Sequence, residues 1–122
     1  MNEPEVLEAR TVGEWEDWLT HHHDSETEIW LRLYNKSAPE PGMSYGEAVE
    51  VALCFGWIDS LARRYDDVSR IQRFSPRKSR SPWSASNVQR VQRLIDSGRM
   101  REAGLRQVEA AKADGRWPAS HG

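Results

Sequence analysis

The chain has 122 residues, 38% of them hydrophobic, and a formal net charge of −2. A chain of this length fits one domain around one modest core. No apolar run approaches the ~20 residues of a membrane-spanning helix, and residues 1–10 carry Glu3, Glu5 and Glu8 where a secretory leader would be cationic.

The single cysteine, Cys54, allows no internal disulfide, so a reducing, cytoplasmic setting is the expectation. The small net charge hides an asymmetry. Residues 1–62 hold three Lys/Arg against thirteen Asp/Glu, whereas residues 63–106 hold twelve against four. Such a division suits either packing of one half on the other or a basic face turned toward an anionic partner. Six tryptophans, each able to bury on the order of 150–250 Å², point to an aromatic core with one or two rings left to line a pocket.

Thr11 followed by Glu14 is a capping-box pair, and it predicts a helix from residue 12 to about 20 with Val12, Trp15, Trp18 and Leu19 on one face. Residues 28–34 alternate, Ile29, Leu31 and Leu33 pointing one way and Trp30, Arg32 and Tyr34 the other, the period of a strand. A loop rich in proline and glycine follows through residue 43. Ser44 and Glu47 form a second box, opening a helix to residue 55 that is apolar nearly all round and so central. Gly56 stands at its C′ position. Residues 57–65 and 70–75 read as a hairpin around the Asp66-Asp67 turn.

A basic loop then leads to a helix capped by Ser81 with Pro82 in its first position, or by Ser84 one turn later. Val88, Val91, Leu94 and Ile95 form its stripe and Gly98 ends it. The last helix runs to about residue 114 with Ala103, Leu105, Val108 and Ala111 inward. The expected class is α+β: a small antiparallel sheet of about three strands packed with helices, in the order α-β-α-β-β-α-α. One domain over residues 1–122 is expected, with a core at about 11–114 and flexible termini.

Three stretches, YGEAVEVALCFGWID at 45–59, RFSPR at 73–77 and PWSASNVQRVQRLIDSGRMREAGL at 82–105, resemble the YdeI/OmpD-associated, or bacteriocin-protection, family of bacteria. Each piece alone is weakly specific; their combination in this order is specific, and the similarity runs to about Trp117. The resemblance implies a cytosolic bacterial domain linked by name to stress or bacteriocin tolerance, with no agreed reaction. Members of that family usually continue into a further basic helical segment, to which the protective name chiefly attaches. This sequence ends instead at Pro118-Ala119-Ser120-His121-Gly122, so the N-terminal domain without that segment is the part expected here.

The residues that could carry chemistry are Trp57, Asp59, Arg73, Arg77, Lys78, Trp83, Ser84 and Asn87. Antiparallel pairing of the hairpin is expected to bring Asp59 near Arg73. The following loop would deliver Arg77, Lys78 and Arg80 to the start of a helix, whose free amides and partial positive charge suit an anion. Arginine forks match carboxylate and phosphate, and Trp57 with Trp83 would wall the site. The plain structural alternative is an Asp59/Arg73 ion pair with Ser84 as a cap and Asn87 holding loop backbone. Self-pairing would lower the Asp59 pKa and suit a ligand anchor better than a proton donor.

His21, His22, His23 and Asp24 are consecutive, splay around a helix end and lack a second cluster, so no metal is expected. Cys54, in an apolar helix, reads as an inert buried thiol. Arg90, Arg93, Arg99, Arg101 and Arg106 lie on two helices joined by a short turn and could touch nucleic-acid phosphates, but aromatic stacking residues are absent from that stretch. The expected function is binding of a small anionic ligand or an acidic protein surface, without a cofactor and without a membrane. A nucleic-acid module using residues 63–106 is the first alternative. The second is an enzyme with Asp59 as acid or base, against which the self-paired carboxylate weighs.

Overall fold

Two reciprocal caps set where the first long helices begin. In the computed structural model, which describes residues 5–78 and 81–117, Thr11 Oγ1 accepts from the Glu14 amide at 3.1 Å while Glu14 Oε1 accepts from the Arg10 and Thr11 amides. Helix α1 runs Val12–His22. Ser44 and Glu47 repeat the exchange at the head of α2, Tyr45–Cys54. Each box satisfies amides that a first turn leaves without helical partners. Ala48, Val49, Val51, Ala52, Leu53 and Cys54 are all buried, which makes α2 the central helix.

The chain order is β1 (Val6–Leu7), α1, β2 (Ile29–Tyr34), α2, β3 (Trp57–Asp66), β4 (Ser69–Pro76), α3 (Ala85–Asp96) and α4 (Glu102–Ala113), an α+β fold. The described sheet has four strands in the order β1-β2-β4-β3, not about three. The added strand β1 runs parallel to β2, so the sheet is mixed and not wholly antiparallel. Two residues are too few to show periodicity; the free edge of β2 makes them a strand. The β3/β4 hairpin and the β2/β4 pair are antiparallel. Among the described residues no helix is long and apolar enough to cross a membrane.

Alternation divides the sheet faces. Ile29, Leu31, Leu33 and Phe74 join Trp15, Leu19, Trp57, Val88, Val91, Leu94 and Val108 in one core. On the other face, side chains cover one another. The Arg63 guanidinium lies 4.8 Å from the Trp30 ring, and Arg32 lies 4.6 Å from both Tyr34 and Tyr65 while binding Glu8 and Asp66 at 2.6 and 2.7 Å. The stems of such arginines shield apolar surface, and Trp30 and Ile71 are buried there.

Helix α4 docks on the end of α2 by close backbone approach. A Cβ on Gly104 would stand 2.4 Å from the Cys54 carbonyl oxygen and 2.6 Å from that of Leu53. Gly56, at φ +77°, turns the chain from α2 into β3, a conformation easy only without a Cβ. Gly104 therefore takes the buried place expected of Leu105, which is exposed, as is Ile95 at the end of α3.

The charge asymmetry is used internally in part: Arg93 and Arg99 reach Glu50 at 3.9 and 3.8 Å, and Arg101 reaches Glu16 at 3.6 Å.

Burial pushes the Cys54 thiol from 9.0 up to about 11. For an acid whose folded pKa is raised, the stabilisation is whole below the unfolded value and is lost as pH climbs to the folded one. Stability is therefore expected to fall between pH 9 and 11, by about 2–3 kcal/mol from this group. Urea unfolding across that window should lose this part of the fall in Cys54→Ala; an identical slope in the variant would show that the thiol ionises in the folded protein.

Candidate functional site

The head of α2 points Tyr45 at β3, and its hydroxyl donates to Asp59 Oδ2 at 2.6 Å. Burial pushes the Tyr45 pKa up to about 12, with the hydrogen bond to Asp59 and that carboxylate's charge adding to it. Arg90 and Arg70 pull the other way, so both guanidinium groups are within electrostatic reach of the phenol. A phenol so shifted is a neutral donor at pH 7, not a base or nucleophile. Asp59 is half-buried, and its other oxygen accepts no hydrogen bond among the described residues.

Next to this pair the loop after β4 places Arg77 indoors. Its amide donates to the Gly56 carbonyl at 2.9 Å, its guanidinium lies 3.8 Å from the Trp83 ring centre, and Nη1 donates to the Pro82 carbonyl at 3.0 Å. The residue is only 6% exposed, Trp83 7%. Arg77 Nε and Trp83 Nε1 are both buried without a hydrogen-bond partner. Burial pushes the Arg77 pKa down to about 10; Arg116 acts in the same direction and Asp59 against it. No carboxylate among the described residues forms an ion pair with Arg77.

Of the two caps offered for α3, Ser84 is the one used: its Oγ accepts from the Asn87 amide at 3.2 Å. Ser81 instead donates to the Lys78 carbonyl at 2.6 Å. Asn87 Oδ1 accepts from Arg90 Nη1 at 3.3 Å, which ties the start of α3 to the surroundings of Tyr45. Trp117 packs on Trp83 at 5.1 Å, and Arg116 Nη1 donates to the Ser81 carbonyl at 2.9 Å.

Arg73 does not join this group, nor does it pair with Asp59. The cross-strand partner of Asp59 is Phe74, and successive strand residues point to opposite faces. Arg73 accordingly stands on the far face, where Nε donates to Glu28 Oε1 at 2.5 Å and Nη1 to Ser60 Oγ at 3.2 Å. Trp57 is core and not a wall shared with Trp83: it is 1% exposed, its Nε1 donates to the His23 carbonyl at 3.2 Å, and its ring meets Trp18 edge-on at 5.8 Å. Lys78 is exposed. Arg80 lies outside the described residues. The structure thus groups Asp59, Arg77, Trp83, Ser84 and Asn87, and separates Arg73 and Trp57 from them.

Tyr45 and Arg70 belong to the neighbourhood although neither was a candidate in sequence. A tyrosine at the first position of an otherwise apolar helix was the available signal. Of the helical-hairpin arginines, Arg106 pairs with Glu102 at 3.1 Å and Arg101 also stacks on Phe55; Arg90 alone of the five turns to the Tyr45 side without an ion pair among the described residues. His21 and His23 place their Nδ1 atoms 2.9 and 2.8 Å from the Asp17 and Leu19 carbonyls. Among the described residues no group of three or more His, Cys, Asp or Glu could hold a metal ion.

No curated protein and no solved structure matches the chain. A family model described as a domain of unknown function (DUF8412) matches residues 7–107, a span that holds Tyr45, Asp59, Arg77, Trp83, Asn87 and Arg90, and the chain belongs to that family.

Proposed function

We propose that the domain binds a small anionic ligand where β3, the loop after β4 and the head of α3 meet. Arg77 and Arg90 supply charge, the first amides of α3 supply donors, Trp83 supplies an apolar wall, and Asp59, held by Tyr45, accepts from a ligand hydroxyl or amine. The observation carrying this reading is Arg77: a guanidinium buried to 6% exposure with no carboxylate partner among the described residues and with its Nε unpaired. A buried charge without its counter-charge is among the costliest arrangements in a protein, and perturbed, unpaired ionisable groups cluster at functional sites. A link to stress or bacteriocin tolerance enters only through the family resemblance, as does a cytosolic bacterial setting.

Binding is favoured over catalysis because Tyr45 stays protonated and already occupies Asp59. It is favoured over nucleic-acid recognition because Arg93, Arg99, Arg101 and Arg106 are drawn to Glu50, Glu16 and Glu102. Calorimetric titration with inorganic phosphate is the direct test. Saturable binding is expected in the wild type, weaker by about tenfold in Arg90→Gln, and unchanged in Arg73→Ala. No heat up to millimolar phosphate, or equal loss in both variants, rejects the site.

A further inference from the structure

We infer that a second site, for an oxyanion carried on a single planar ring, lies where the end of β2, the start of β4 and the head of α2 converge. A hollow of about 270 Å³ opens there, with Leu33 as its floor, the Tyr45 ring as a wall, and Tyr34, Asn35, Lys36, Arg70 and Ser44 around it. Among the described residues no carboxylate lines it. Lys36 and Arg70 form no ion pair among the described residues, whereas Arg32, Arg64, Arg73 and Arg116 each bind a carboxylate within 3 Å. Lys36 and Arg70 thus bring positive charge to this hollow that no ion pair among the described residues takes up, which is the electrostatic condition for an anion.

The walls are fixed before any ligand arrives. Tyr34 donates its hydroxyl to Glu8 at 2.9 Å, and its ring lies 3.8 Å from the Arg10 guanidinium and 4.6 Å from that of Arg32. Tyr45 is pinned through its hydroxyl to Asp59, and the residue as a whole is 40% exposed. The Arg70 guanidinium sits 5.8 Å from the centre of that ring. Preorganised walls reduce the ordering cost of binding. The volume far exceeds the ~30 Å³ share of one water molecule, so the hollow suits an organic body and not a bare ion. The partly exposed Tyr45 ring favours a flat ring, and a lysine beside an arginine fork favours a carboxylate or phosphate on its edge.

The site adjoins the one at Arg77 through Tyr45, whose hydroxyl holds Asp59 there while its ring faces this hollow, and two-dimensional ¹H–¹⁵N spectra of the full chain separate the two. Phenyl phosphate and benzoate are the probes, and their relative strength tells phosphate from carboxylate. Saturable shifts are expected at the Asn35 and Lys36 amides and at Arg70 Nε. Lys36→Ala and Arg70→Gln should each weaken them by about tenfold, and Arg77→Met should leave them unchanged. Lys36 is exposed and Arg70 half-buried, so both variants are expected to fold, which the dispersion of the same spectra checks. Shifts abolished by Arg77→Met but kept in Arg70→Gln would place the probe at the Arg77 site and overturn this one. An absence of shifts at residues 35 and 36 up to millimolar probe would overturn it too, without bearing on phosphate binding at Arg77.

Discussion

Gly104→Ala is expected to lower the unfolding free energy by about 3 kcal/mol, the upper range for forcing a methyl into packed structure. In an isolated helix the same change would help, because alanine is the better helix former by about 1 kcal/mol. Here the new Cβ would meet two backbone oxygens, of Cys54 and Leu53, at 2.4 and 2.6 Å. Neither can swing aside as a side chain would. Helix α4 would have to lift from α2, disturbing the 3.0 Å bond from the Arg101 amide to the Cys54 carbonyl.

Gly46→Ala, in the first turn of α2, is the matched comparison. Its Cβ would find only Ser44 Oγ at 3.9 Å, so a gain of about 0.5 kcal/mol is expected. Urea midpoints of the two variants should move in opposite directions. A Gly104→Ala protein as stable as the wild type would mean that the α2/α4 contact is looser than described.

Arg77→Met is expected to raise stability by about 1 kcal/mol while weakening phosphate binding at least about tenfold. The signs come from one imbalance. Taking a guanidinium out of water costs several kcal/mol, offset here by one hydrogen bond to a neutral carbonyl, about 1 kcal/mol, and by stacking on Trp83, about 2 kcal/mol. Methionine has similar length and no charge to desolvate.

The pKa carries the same sign. A base whose folded pKa is depressed, here to about 10 by burial, destabilises the fold throughout the range where it is charged, and relief comes only as pH rises above 10. The gain in Arg77→Met should therefore be present and level from pH 6 to 9. Thermal and urea unfolding in phosphate-free buffer measure it. A loss of more than 1 kcal/mol would make Arg77 a structural residue and remove the main support for the anion site.

Much of the local structure could be read from short stretches. Thr11 with Glu14, and Ser44 with Glu47, announce two helix starts because a capping box involves residues only three apart. Residues 29–34 announce a strand because alternation is visible in six side chains. Cross-strand partners were less legible. Strand β3 has register shifts between Asp59 and Ala62 and between Arg64 and Asp66, and each bulge adds a residue to one strand. Asp59 stands opposite Phe74, one place from Arg73, and one residue along a strand moves a side chain through the sheet. Tyr45 escaped notice for a related reason: its partner Asp59 is fourteen residues away and meets it only after α2 has packed on β3.

Short-range patterns were enough for the α+β class, the caps, the central apolar helix and the burial of Cys54, because these depend on neighbours within a turn of helix or a few residues of strand. Which charges are compensated depends instead on how the elements pack. Arg93, Arg99, Arg101 and Arg106 find Glu50, Glu16 and Glu102, Arg73 finds Glu28, and Arg70, Arg77 and Arg90 form no ion pair among the described residues. Pairing of charges is a property of distances between remote segments, set by strand register and helix docking, and no local pattern encodes it.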